Sequence, residues 1–132
     1  MRLSYTNIRI VAFLFFTLIA YILCAANFGW DTTIFTFIKQ LPYGDKLTHF
    51  VLIGGFAFFM NLILKNRTTA VLRWSFLLGS TIVFAFVTLE EFSQIYIPRR
   101  TFDLVDLACN YAGIFLIGGL AKRVDLVYTS SG

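Results

Sequence analysis

Residues 10–28, IVAFLFFTLIAYILCAANF, run for 19 positions without a charge. Crossing about 30 Å of hydrocarbon takes about 20 mostly apolar residues in a helix, so this stretch reads as a transmembrane span and makes lipid the solvent to reason in. Three further runs follow. Residues 47–64 hold only His49 as an ionisable group among 18 positions, and residues 74–89 are 16 uncharged positions. The latter extend backward past a snorkelling Arg73, giving a third span over about 71–91. The last run, 107–121, has 15 residues and at about 1.5 Å per residue covers about 22 Å. Asp106 and Asp103 must then sit at the membrane edge or in a protein-lined cavity, and the fourth span is expected over about 104–121. Ionisable groups at such depth are costly and usually functional.

The composition agrees. Of 132 residues, 58% are hydrophobic and 18 are charged, against about 25% charged in a soluble domain. Sixteen Phe among 24 aromatics would need a larger core than a water-soluble chain of this length encloses. The same numbers exclude disorder, which goes with few aromatics and much charge. Nucleic acid is excluded as a partner, because the net charge of +4 is not gathered into one basic face. Cys24 and Cys109 lie in apolar stretches and suggest neither a disulfide nor a zinc framework. The first run is expected to be a span rather than a cleaved signal: it exceeds the roughly 7–15 apolar residues of a signal peptide. Cys24 also lacks the small residue before it that a lipoprotein signal would have.

Four spans leave two sides. Arg2, Arg9, Lys65, Arg67, Arg73, Lys122 and Arg123 fall on the side of the termini and the middle connection; Lys39, Lys46, Arg99 and Arg100 fall on the other. Seven basic residues against four place both termini in the cytoplasm of a multi-pass protein of the cell (inner) membrane. Trp30, Tyr43 and Tyr96 then meet the outer interface, and Tyr5, Trp74 and Tyr128 the inner one, as amphipathic rings prefer. Residues 65–73 read as a short basic inner turn. Between Trp30 and Lys46, Asp31 is placed to cap a short helix over 32–41, with Ile34, Phe35, Phe37, Ile38 and Leu41 as its apolar face and Pro42 and Gly44 ending it. The expected fold is all-α: one polytopic membrane domain over residues 1–132, a four-helix transmembrane bundle with a short outer interfacial helix between spans 1 and 2.

Six of the seven acidic residues, all but Asp125, fall on the outer side, and orientation does not explain this because Asp and Glu contribute little to it. A site does. Asp45, Lys46 and His49 open the second span in DKLTH, with Asp45 and His49 four apart on one face. Glu90, Glu91 and Gln94 close the third in EEFSQ. Asp103, Asp106 and Asn110 open the fourth at i, i+3 and i+7, preceded by Arg99 and Arg100. The three stripes share one depth and should turn inward, since the alternative is carboxylates facing acyl chains. Singly, each has a plain structural role: Lys46 as an interfacial anchor, His49 as a packed polar group, the arginines as headgroup contacts, Asn110 as glue between helices. Together they point to a pocket. Gly54, Gly55, Gly113, Gly118 and Gly119 read as close-packing positions, and Thr88 and Thr101 are open.

The segments DKLTHF and EEFSQIYIPRRTFDLVDLACNYAG closely resemble the pattern of the VanZ-like membrane proteins: Asp-Lys-x-x-His-Phe before a span, then Glu-x-x-Gln, a Pro-Arg turn, and Arg-x-x-Asp-x-x-Asp-x-x-x-Asn entering a Gly-containing span. The match covers Asp45, Lys46, His49, Glu91, Gln94, Arg100, Asp103, Asp106 and Asn110 within residues 42–121. Arg99 stands where the family often has a small turn residue, and Glu90 at its variable position before the Glu. The resemblance implies a polytopic membrane protein whose founding member confers resistance to the glycopeptide teicoplanin; it implies no particular reaction.

A pocket at the outer membrane edge meets headgroups and lipid-linked envelope intermediates. The leading expectation is action on such a phosphate-containing substrate, with Lys46 and Arg100 holding the phosphate and Gln94 and Asn110 orienting. Two chemistries are open. Glu91, Asp103, Asp106 and His49 offer ligands for Mg²⁺ or Mn²⁺, or His49, oriented by Asp45, is a general base without a metal; His49, Asp45, Glu91 and Asp106 are the catalytic candidates. Ile95 stands where a CAAX-type protease needs Arg, and the motifs of type 2 phosphatidic acid phosphatases and CDP-alcohol phosphotransferases are absent. The rivals are a binding or sensing site without turnover, a structural subunit whose buried charges fix helix packing, and a transporter.

Overall fold

The computed structural model describes residues 1–30, 33–98 and 100–128, with the side chain of Ile34 left aside. The chain is mostly helical. Helix α1 (Tyr5–Phe28) is followed by the short α2 (Thr33–Gln40) and by α3 (Gly44–Ile63). Then come α4 (Leu78–Ser93) and α5 (Leu104–Gly119), the latter continued by a 3₁₀ turn over Leu120–Arg123. Three stretches are long and apolar enough to cross a membrane: Tyr5–Phe28, Gly44–Ile63 and Leu104–Arg123. α1 ends where Gly29 takes φ 69°, a left-handed conformation open to glycine, and Trp30 donates back to the Ala25 carbonyl at 2.9 Å.

The third apolar run departs from expectation. Residues 71–77 are not helical: β2 (Thr68–Val71) and β3 (Trp74–Leu77) form an antiparallel hairpin, in register from Thr68 opposite Leu77 to Val71 opposite Trp74. β-Branched and aromatic residues suit a strand better than a helix, and Leu72 at φ 57° turns the chain in a two-residue loop. α4 starts only at Leu78 because its N-terminus is fixed from outside: Asn61 Oδ1 accepts the Ser80 backbone N–H at 2.7 Å. Its 16 residues cover about 24 Å. A second departure from all-α is the parallel pairing of β1 (Arg2–Ser4) with β4 (Asp125–Val127).

α3 is the centre of the molecule, packing most extensively on α5 and also on α1, α2 and α4. The α3–α5 contact is close because glycines face each other: a Cβ at Gly113 would run into the Phe50 carbonyl oxygen, and one at Gly54 would lie 2.8 Å from the Gly113 carbonyl. One core cluster joins Ile53, Ala57, Val83, Val87 and Ile114; another joins Ile8, Leu62, Ala121 and Val124. A polar knot lies at one end. Asn61 is fully buried, and its Nδ2 donates to Ser80 Oγ at 2.8 Å and to the Gly118 carbonyl at 3.0 Å, tying α3, α4 and α5 together.

Contacts at the two ends fix the directions of the helices. Tyr5 at the start of α1 donates to the Ile63 carbonyl at the end of α3 (2.9 Å), beside the Asn61 knot. At the opposite end, Asn27 of α1, Lys46 of α3, Glu91 of α4 and Asp106 of α5 lie together. α1 and α4 therefore run opposite to α3 and α5, and all three polar stripes meet at one end. Asp31 and Thr32, the expected cap and first residue of the short helix, lie outside the described residues, as does Arg99.

Candidate functional site

The site begins with the cap of α5. Asp103 precedes an apolar run, and its Oδ1 accepts the backbone N–H groups of Val105 (2.8 Å) and Asp106 (3.4 Å), satisfying two donors that a helix start leaves free. The Val105 N–H foremost, then that of Asp106 and the Lys46 ammonium, holds the Asp103 carboxyl below its ordinary value of 3.8 against an opposing desolvation. Lys46 Nζ lies 3.4 Å from Asp106 Oδ1 and 3.7 Å from Asp103 Oδ2, bridging α3 to α5.

His49, one turn along α3, faces the same helix. Its Nδ1 lies 3.0 Å from Asn110 Oδ1 and its Nε2 3.7 Å from Asp106 Oδ2. An amide oxygen only accepts, so with Asn110 in this orientation Nδ1 carries a proton. The Nε2 distance suits an ion pair but is too long for a hydrogen bond. Asp45, expected to orient this ring from four residues upstream, is exposed and has no bond to it; Asn110 and Asp106 do that work. A turn of helix aligns Asp45 with His49, but the ring follows the partners offered across the helix interface.

The α4 carboxylates divide between two neighbours. Glu91 is fully buried; its Oε1 accepts the Asp103 backbone N–H at 3.1 Å and its Oε2 the Gln94 amide at 3.3 Å. Glu90 receives the same Gln94 amide at 3.0 Å and lies 3.5 Å from Arg100 Nη2. Arg100 Nη1 donates to Asn27 Oδ1 at 2.6 Å, so its guanidinium links α1 to α4. Asn27 had no signal in the sequence, and Glu90, placed in the polar stripe there but given no role, turns out to be the partner of Arg100. Consecutive helix residues point about 100° apart, which sends Glu90 toward Arg100 while Glu91 turns to α5.

The expected cation ligands do not assemble. Among the described residues no three His, Cys, Asp or Glu side chains form a metal-binding group. The reason lies in their commitments: Glu91 holds a backbone N–H and an amide, Asp103 caps α5, and Asp106 faces Lys46. Glu91, Asp103, Asp106 and His49 thus do not fit a Mg²⁺ or Mn²⁺ site in this arrangement.

Beside the network lies a cavity of about 600 Å³ between α1, α2 and α3. Ile19, Ile22, Leu52 and Ile53 are among its apolar walls, and Lys39, Asp45, His49, Arg100 and Thr101 among its polar ones. Of the expected site residues, Asp45, His49 and Arg100 line it; Lys46, Glu91, Gln94, Asp103, Asp106 and Asn110 do not. His49 alone belongs to both the cavity wall and the α3–α5 network. Thr101 joins the cavity, while Thr88 bonds to the Phe84 carbonyl and the Tyr111 hydroxyl and serves packing between α4 and α5.

Comparison with known protein families, with characterised proteins and with solved structures finds no match to this chain.

Proposed function

We propose that the chain is a VanZ-like, four-span protein of a cell membrane with both termini in the cytoplasm, and that its outer end binds a lipid-linked, phosphate-containing envelope substrate. The observation that carries this reading is the position of His49, on the wall of an apolar cavity with its two nitrogens against Asn110 and Asp106. The apolar walls suit a hydrocarbon chain, and Arg100 and Lys39 beside them suit a phosphate. His49 is the acid–base group of this reading, with its ring held at the cavity wall by Asn110 and Asp106. Asp106, Asn110 and Lys46 are positioning residues, and Glu91 is an acceptor that holds α4 to α5.

The test is binding of a polyprenyl phosphate and of the matching polyprenol to the full chain in detergent. The phosphate should bind more tightly, and Arg100→Gln should remove at least about tenfold of that preference, the effect of one hydrogen bond to a charged group. If Arg100→Gln keeps the wild-type preference, the phosphate role is wrong.

One observation favours a second reading, a binding or structural subunit without catalysis: Lys46 and Arg100 already have carboxylate partners. Glu90→Gln separates the two. Freed from its carboxylate, Arg100 should bind phosphate at least as well as before, whereas a structural ion pair left with one buried member should lower the folded yield.

A further inference from the structure

At the end of the molecule opposite His49, an apolar groove of about 580 Å³ runs between α4, α5 and the hairpin. It exists because α4 begins late. Residues 68–77 form β2 and β3 instead of further turns of α4, and Gly119 at the end of α5 adds no side chain to fill the space between them. The stacked rings of Phe84 and Tyr111 (centroids 4.5 Å apart) line it, with the Tyr111 hydroxyl engaged by Thr88 at 2.6 Å. Phe76 and Phe115 add apolar surface and are 42% and 76% exposed, so the described residues do not cover the groove.

Its polar end carries one sign of charge. Lys122 lines the groove, is exposed, and has no acidic partner among the described residues; Ser75 lies on the same wall. Arg67 and Arg73 flank the hairpin strands that form this wall, and Arg123 follows Lys122. An apolar slot ending in an unpaired ammonium within a basic neighbourhood complements an acyl chain carrying a negative headgroup.

We propose that this groove is a binding site for an anionic phospholipid of the cytoplasmic leaflet, with an acyl chain between α4 and α5 and the phosphate at Lys122. The site rests on the chain spanning the membrane as proposed above, and is independent of any chemistry at His49. It would anchor the late start of α4 where the bilayer meets the basic hairpin.

Gly119 makes the proposal testable. A Cβ added there meets no heavy atom within 4 Å, so Gly119→Phe can fill the groove without a clash at its root. The full chain is taken from carbonate-washed membranes and incubated in detergent with equal amounts of dioleoylphosphatidylglycerol and dioleoylphosphatidylcholine. Retained lipid is then read by native mass spectrometry. The wild type should hold one lipid, with phosphatidylglycerol preferred about fivefold, the effect of one interfacial cation. Lys122→Gln, an exposed change that leaves packing intact, should erase the preference while keeping the lipid. Gly119→Phe should lose the lipid. Retention of both lipids by Gly119→Phe at the wild-type level, or an unchanged preference in Lys122→Gln, overturns the proposal. So does a dimer that Gly119→Phe abolishes, which would make the occupant a second copy. A chain washed out by carbonate sinks the membrane reading and the groove with it, whereas failure of the polyprenyl phosphate assay alone leaves the groove standing.

Discussion

His49 depends on groups from another helix. Its Nδ1 faces Asn110 Oδ1 at 3.0 Å, and Asn110→Ala removes the acceptor that sets the tautomer. The stability loss should be about 1 kcal/mol, and the ¹⁵N shifts of the His49 ring should move from a fixed Nδ1–H form to a mixture; unchanged shifts would mean that Asn110 does not hold the ring. Asp103 gives a pH signature. Its carboxyl is held below 3.8, first by the Val105 N–H, so its contribution is complete above the unfolded-state value of about 3.9 and fades as pH falls through the lower folded-state value. Unfolding in detergent should show an acid limb below about pH 4 that is shallower in Asp103→Asn, a change that keeps a good cap. The site residues themselves were legible in the sequence, since an ionisable group in an apolar chain stands out at once. Their pairing was not: spacing along one helix aligned Asp45 with His49, but partners are chosen across the α3–α5 interface, which no single-helix pattern encodes.

Among the elements, α3 and α5 are set by what their glycines leave out. A Cβ at Gly113 would run into the Phe50 carbonyl oxygen, a backbone atom that moves only with the whole helix. Gly113→Leu should therefore lower stability by about 1–3 kcal/mol or more, while Gly119→Ala, with open space at its Cβ, should be neutral or gain up to about 1 kcal/mol in helix propensity. Thermal unfolding of the two variants in one detergent compares them, and equal losses would show that the close approach of α3 and α5 is not what holds them. The close packing at Gly54, Gly55, Gly113 and Gly118 could be read from the sequence, whereas Gly119, read as a fifth such position, meets nothing within 4 Å; the start of α4 could not be read at all. Its apolar run continues smoothly from Trp74 to Leu89, and nothing within it marks Leu78 as a helix start. The boundary comes from Asn61, which reaches across to accept the Ser80 N–H at 2.7 Å and is too far away in sequence to register as a cap. Asn61→Leu should strand that N–H and the Gly118 carbonyl together, at a cost of about 1–3 kcal/mol.

At the scale of the whole molecule, one end gathers the acidic network and the cavity, and the other gathers the β1–β4 pair, the basic hairpin and Lys122. Three stretches are long enough to cross a bilayer by themselves; α4, at about 24 Å, is shorter than the roughly 30 Å of hydrocarbon. Its neighbours compensate for that length. α4 runs from the Asn61 knot at one end to Glu91 at the other, against the 20-residue α3 and against α5, whose 16 residues are continued by the 3₁₀ turn to Arg123. Its ends therefore lie near the two ends of stretches long enough to reach across, with a 3₁₀ turn over Gln94–Tyr96 adding length. A single cysteine at either end of α4 tests this directly, in a chain with Cys24 and Cys109 changed to Ser. Leu72, at the hairpin turn and 96% exposed, should react as Leu72→Cys with a membrane-impermeant maleimide only after the cells are permeabilised. Thr101→Cys, beside the cavity, should react in intact cells. Labelling of both in intact cells, or of neither before permeabilisation, would put the two ends of α4 on one side and remove it as a span. The reverse pattern would put the His49 pocket in the cytoplasm, out of reach of an outer-leaflet substrate.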